Sequence, residues 1–130
     1  MVLPHFTKTT DNIDELDDFF DGWVRRVGWA VIEGYSHHAG QLPDRAVIDM
    51  SPPLRAPCRR IRTRCTILAD GRLTLCDQDF TGLSTVGSLH ETSLSDLWHG
   101  DLLQAARTHH EAGRYDDLPL CAACNEWHRP

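Results

Sequence analysis

No stretch of the 130-residue chain approaches the ~18–20 apolar residues that a membrane span needs. The opening Met1-Val2-Leu3-Pro4-His5 has no basic segment leading into an apolar run, so no secretory leader is expected. Together these absences predict a cytoplasmic protein without membrane contact. Cations are short as well: thirteen Lys and Arg stand against nineteen Asp and Glu, for a formal net charge of −6. Duplex binding rests on phosphate neutralisation by Lys and Arg, so nucleic acid is not an expected partner. The sequence also lacks internal repeats, a glycine-rich phosphate loop, a Ser–His–Asp order and paired catalytic carboxylates. The common hydrolytic and nucleotide-binding chemistries therefore have no footing in it.

What is present is five cysteines. In a reducing compartment they are poor candidates for a disulfide framework, and metal binding becomes the default. At this size about two-thirds of the unfolded surface is buried on folding, which makes one modest core. A metal that ties loops together would matter to stability. Charge is unevenly distributed. Asp11, Asp14, Glu15, Asp17, Asp18 and Asp21 crowd one segment; Arg55, Arg59, Arg60, Arg62 and Arg64 crowd another, around Cys58 and Cys65.

The pattern predicts an α+β chain: a small cysteine-rich module with a β-hairpin and short helices, preceded by a terminal α/β unit. Residues 1–40 form that first unit. Thr10, Asp11 and Asn12 offer N-cap side chains. Ile13, Leu16, Phe19, Phe20, Trp23, Val24 and Val27 then recur at spacings of three and four, an amphipathic helix. Gly28 is the expected stop. Trp29-Ala30-Val31-Ile32 reads as a strand, as does Val2-Leu3 before the helix, and this order predicts parallel pairing. Residues 41–56, punctuated by Pro43, Pro52 and Pro53, read as a linker. Residues 57–130 are the cysteine module. Arg62 to Leu68 and Arg72 to Cys76 are the arms of a hairpin turned at Asp70-Gly71. Ser93 caps a short helix with Leu94, Leu97 and Trp98. A second helix runs from Asp101 through Leu102, Leu103, Ala106 and His110, and Gly113 ends it.

Thiolates are the preferred ligands of iron–sulfur clusters and of structural zinc. Cys121 and Cys124 form a C-x2-C pair that lets one turn present two sulfurs. Cys76 ends one hairpin arm and Cys58 precedes the other, so pairing of the arms brings their outer ends together. Cys58, Cys76, Cys121 and Cys124 are thus the candidate ligands of one [4Fe-4S] cluster or of one Zn2+. Cys65 shares strand parity with Ile67. It either faces the core as a small hydrophobe or replaces Cys58 as a ligand. A dithiol redox pair of Cys121 and Cys124, free of metal, is a third reading.

The order of these elements resembles the SPASM/Twitch domains. The resemblance is carried by Cys58; by Cys65-Thr66-Ile67-Leu68-Ala69-Asp70-Gly71-Arg72-Leu73-Thr74-Leu75-Cys76; by Val86-Gly87-Ser88-Leu89; by Ser93-Leu94-Ser95-Asp96-Leu97-Trp98; and by Cys121-x2-Cys124. It covers residues 57–128. Such domains are the C-terminal auxiliary iron–sulfur modules of radical S-adenosylmethionine enzymes. The full pattern continues with further cysteines for a second cluster. None follows Cys124, so the resemblance is to the shorter, one-cluster form. It implies that the first unit is the end of a partial (β/α)6 barrel. It further implies a cluster serving electron transfer or substrate anchoring, with a peptide among the expected substrates. The family's catalytic C-x3-C-x2-C is absent from these 130 residues. The chain alone is therefore not expected to bind S-adenosylmethionine or to catalyse radical chemistry; a catalytic domain in cis or trans is the expected partner. The alternative is a zinc-stabilised structural or interaction module.

Other residues have plainer readings. The arginine run either faces solvent from a strand or offsets the charge of a cluster, which carries about −2 with four thiolates. His37-His38 and His109-His110 are expected at the surface, and His128 is a candidate zinc ligand. Asp77 and Asp79 read as surface loop carboxylates, and Trp98 and Trp127 as core.

Overall fold

The computed structural model describes residues 1–129. They divide into two units, one of residues 1–37 with 43–49 and one of residues 38–42 with the chain from Met50 onward.

In the first unit the amphipathic segment begins as a 3-10 turn at Ile13–Glu15 and continues as helix α1, Leu16–Val27. Asp17 and Asp18 sit in its first turn and Arg25 and Arg26 in its last, as the helix dipole favours. Asn12 precedes the turn without capping it. Its side chain instead accepts from the Thr9 N–H at 2.7 Å and donates to the Thr7 carbonyl at 3.1 Å, closing the loop before the helix. Gly28 ends α1 in the left-handed region, φ +86°, where a side chain would be strained. Strands β1 (His5–Lys8) and β2 (Val31–Gly34) flank the helix and pair in parallel, His5 opposite Val31. Both lie two or three residues later than their apolar letters suggest, because short strands are placed by what they pack on. Phe6 is buried beneath the Phe19 ring, 5.0 Å away, and Phe19 leads on to Trp23 at 6.4 Å. The unit is unfinished as a core: no α1 residue is buried, and Phe20, Val27, Trp29 and Ile32 are exposed.

The second unit is a three-stranded antiparallel sheet, β3 (Thr66–Ile67), β4 (Arg72–Thr74) and β5 (Thr85–Ser88), in that order, with short helices beside it. The predicted arm from Arg62 to Leu68 is mostly not strand. Helix α2, Arg60–Thr63, takes up its start, Arg62 and Thr63. One helical turn there places Ile61, 1% exposed, in the core and buries Arg60. An extended arm would turn these neighbours to opposite faces. The turn itself is as expected: Gly71 at φ +81° reverses the chain, and the Asp70 carboxylate pairs with Arg72 at 2.7 Å.

Helix α3 (Leu94–His99) is capped by the Ser93 hydroxyl, which accepts from the Asp96 N–H. Helix α4 (Asp101–Glu111) lays Leu103 and Ala106 against Leu75, with Val86, Trp98 and Leu118 packed around them. After a 3-10 turn at Tyr115–Asp117, Pro119 opens the single-turn helix α5, Pro119–Ala122. No helix among the described residues is long and apolar enough to cross a membrane.

Asp79 corrects a sequence reading, since it is fully buried rather than a surface carboxylate. Its oxygens accept from the backbone N–H groups of Gly82, Leu83 and Ser84 at 3.0, 2.8 and 2.7 Å. All three donors lie three to five residues downstream, so the carboxylate folds its own loop around itself. The loop joins β4 to β5 and starts directly after Cys76. Replacing Asp79 by Ala strands three donors and should lower the unfolding free energy by about 2–4 kcal/mol, measured by urea denaturation. Asp79→Asn, which keeps one acceptor oxygen, should lose less. An Ala variant with an unchanged midpoint would contradict this role for Asp79.

Candidate metal centre

Four of the five cysteines line one gap in the second unit. Cys58 stands just before α2 and Cys76 just after β4. Cys121 lies in α5, and Cys124 follows it by one turn, its N–H donating to the Cys121 carbonyl at 3.1 Å. Proline at the first position of α5 suits so short a helix, since its missing N–H has no partner there anyway. Cys58, Cys76 and Cys121 are buried and Cys124 is half-buried. Ile61, Leu120 and Trp127 supply apolar walls. The free space is about 20 Å3, the room of about one water, so this is no pocket for an organic substrate. Among the described residues no three His, Cys, Asp or Glu side chains converge on one point as a single ion would require. The thiols are arranged around the gap instead.

The electrostatics of bare thiols here are unfavourable to charge. Burial is the main cause that pushes Cys76 and Cys121 up to about 12, and the neighbouring cysteines add to it. Cys124 is raised too, by burial first, against the pull of the Glu126 N–H, which donates to its sulfur at 3.3 Å. Without metal, all three are neutral thiols at physiological pH.

Cations stand beside them. Arg60, 6% exposed, pairs with Asp77 at 2.9 Å. Arg55 lies over the Tyr115 ring at 4.3 Å and donates to the Cys121 carbonyl at 2.7 Å. Both guanidinium charges favour the Cys124 thiolate. The Nε atoms of Arg55 and Arg60 are buried without a protein partner. Soft donors on all sides, no carboxylate in the lining, and buried cations with hydrogen-bonding capacity to spare fit a thiolate-bound, anionic metal centre. The arginine run is thus divided in use. Arg60 is buried, Arg55 is half-buried, Arg64 reaches Asp77 at 3.7 Å, and Arg62 pairs with Glu111.

Cys65 is exposed, neither core nor beside the other four. It precedes a two-residue strand at the sheet edge and lines a separate open depression with Thr63, Leu94, Ser95, Trp98 and His99. Partial burial raises its thiol and Arg107 lowers it, burial being the larger cause.

His128 is absent from the lining of the gap and packs edge-on against Trp127, their rings 5.6 Å apart. Trp127 is half-buried at the gap, and Trp98 is half-buried beneath Arg107, 4.3 Å away. His37 is buried rather than exposed.

The residue that sequence reasoning missed is His110. It is 1% exposed, not a surface residue, and it lines the gap. Its Nδ1 accepts from the Cys58 N–H at 3.2 Å, and its Nε2 lies 3.3 Å from the Cys121 sulfur. Burial, with Arg55, Arg62 and His109 nearby, pushes its pKa down to about 4, so the ring is neutral at physiological pH. The signal was available. His110 follows Leu103 and Ala106 by seven and four residues, on the stripe that α4 buries.

The exposure difference predicts reactivity. In the metal-free chain at neutral pH, iodoacetamide should label Cys65 at least about tenfold faster than Cys76 or Cys121, whose thiolate fractions are minute. Peptide mass spectrometry reads the order. Equal labelling of all five would contradict the packed site.

A family model described as SPASM, an iron-sulfur cluster-binding domain, matches residues 58–125. An uncharacterized protein of Treponema pallidum (strain Nichols) is 33% identical over 131 aligned positions. The match takes in 98% of this chain and 34% of that protein, so the chain spans about a third of its relative's length. No solved structure matches significantly.

Proposed function

The chain belongs to the SPASM family of iron–sulfur cluster-binding domains, and from that premise we propose that it holds one auxiliary [4Fe-4S] cluster for a radical S-adenosylmethionine enzyme. Cys58, Cys76, Cys121 and Cys124 are its ligands. The observation that carries this reading is the convergence of these four thiols on one gap while the fifth stays outside it. When bound, such a cluster supplies one electron at a time, or an iron site at which a substrate is anchored.

The chain's own residues do the rest. Ile61, Leu120 and Trp127 keep water from the sulfurs. Arg55 and Arg60 set positive charge against an anionic centre, which favours its reduction. The first unit supports a place at the end of a larger α/β barrel. Two parallel strands with an apolar helix face form a fragment of a sheet that, in such folds, is covered on both sides. A catalytic domain carrying C-x3-C-x2-C, on the same polypeptide or another, would perform the radical step. Its substrate class in this reading is a peptide.

Anaerobic reconstitution tests the proposal. A broad absorption near ~400 nm that bleaches with dithionite, with about four irons and four sulfides per chain, is expected. Ala in place of Cys58, Cys76, Cys121 or Cys124 should each cut the iron content by half or more, while Cys65→Ala leaves it unchanged. A colourless protein with one zinc would establish the structural-module alternative. Iron loss on Cys65→Ala would overturn the ligand set.

A further inference from the structure

We propose that His110 is a positioning residue that donates a hydrogen bond from its Nε2–H to the Cys121 sulfur and thereby raises the reduction potential of the bound cluster. The inference rests on the cluster reading above and deepens it.

A backbone N–H can only donate, so the 3.2 Å contact from the Cys58 N–H makes His110 Nδ1 an acceptor. In a neutral imidazole the hydrogen is then on Nε2. Nε2 lies 3.3 Å from the Cys121 sulfur, in a residue 1% exposed, where water does not compete. A metal-bound thiolate has no hydrogen of its own and accepts. The ring cannot easily turn away. Tyr115 meets it edge-on at 5.2 Å and 69°, and Tyr115 carries Arg55 on its face at 4.3 Å. The helix holding the ring is anchored by Leu103 and Ala106. One side chain therefore joins the segment before α2, helix α4 and helix α5, and it orients two cysteines at once.

The consequence follows from charge. Reduction adds an electron to a centre that is already anionic, and an N–H···S bond strengthens as sulfur gains density. The bond is worth more in the reduced state, so it favours reduction. The Cys58 N–H serves only to fix the tautomer. A second hydrogen-bonded residue orienting a metal ligand is the usual way in which proteins tune such sites.

The test uses the full chain with its cluster loaded anaerobically. His110→Phe keeps the ring, the volume and the α4 stripe but removes the donor. It should still bind iron, and its midpoint potential should fall. Only the strength that the bond gains on reduction counts, so its loss shifts the reduction equilibrium by up to about tenfold, which is at most about 59 mV for one electron. His110→Gln, whose amide N–H can reach the sulfur, should restore most of the shift, which a purely structural role would not require. A fully loaded His110→Phe protein with the wild-type potential overturns the proposal. The ligand assignment would still stand, because the iron content of the cysteine-to-alanine variants tests it separately. If His110→Phe does not load, wild-type protein labelled with 15N-histidine decides by pulsed electron paramagnetic resonance of the reduced cluster. A weak 15N coupling with an exchangeable proton nearby supports the hydrogen bond. No coupling, or one as large as that of a directly bonded nitrogen, overturns it.

Discussion

Burial of four thiols around one gap is the constraint from which the second unit takes its shape. A thiolate in dry, apolar surroundings is disfavoured, and burial, with the neighbouring cysteines, pushes Cys76 and Cys121 up to about 12. A positively charged metal would reverse that balance, because each thiol would release its proton to solvent on binding and the cation would offset the charge left on sulfur. The secondary structure is sparse because it has little else to do. The longest strand of the sheet has four residues, and α2 and α5 are single turns. Cys58 stands just before α2, Cys76 just after β4, and Cys121 within α5.

The shell around the sulfurs obeys the same requirement. A buried Arg60 costs more than its attraction to one partner repays unless its remaining donors are also used. Asp77 takes one of them, at 2.9 Å, and the anionic centre proposed for the gap would draw on the rest of the charge. Arg55 is held differently, sandwiched on Tyr115 and bonded to the Cys121 carbonyl. His110, neutral and pinned between Cys58 and Cys121, ties both halves of the site to α4. Asp79 works one step away, since its three accepted backbone bonds define the loop that leaves Cys76.

The first unit is governed by a shortage. Its helix has the apolar stripe, the capping glycine and the dipole-matched charges of a packed helix, yet it buries none of its residues. Phe6, Phe19 and Trp23 form one aromatic row against one strand, while Phe20 and Val27 remain in solvent. The Treponema pallidum relative is about three times as long as the stretch it shares with this chain.

Local signals carried much of this protein. The α1 stripe, Gly28, the Asp70-Gly71 turn, the Ser93 cap and the grouping of Cys121 with Cys124 are legible because each depends on residues within one turn of its neighbours. Family membership was legible for a related reason, since the order of cysteines, turn and capped helix is itself linear. What the letters could not settle are choices made across the fold. Cys65 and Cys58 are both cysteines near the start of a hairpin, but a single helical turn at Arg60–Thr63 leaves one at the exposed sheet edge and buries the other. His110 stands on the stripe that α4 buries, but its partners, the Cys58 N–H and the Cys121 sulfur, meet it only in the folded chain. Asp79 reads as a surface carboxylate, yet it is buried because the loop just downstream wraps three backbone donors around it. The sequence by itself determined which chemistry this protein can hold, four thiols and the local turns that carry them. Tertiary structure decided which four thiols line one gap and with what neighbours, because burial and long-range contacts exist only after the chain has folded.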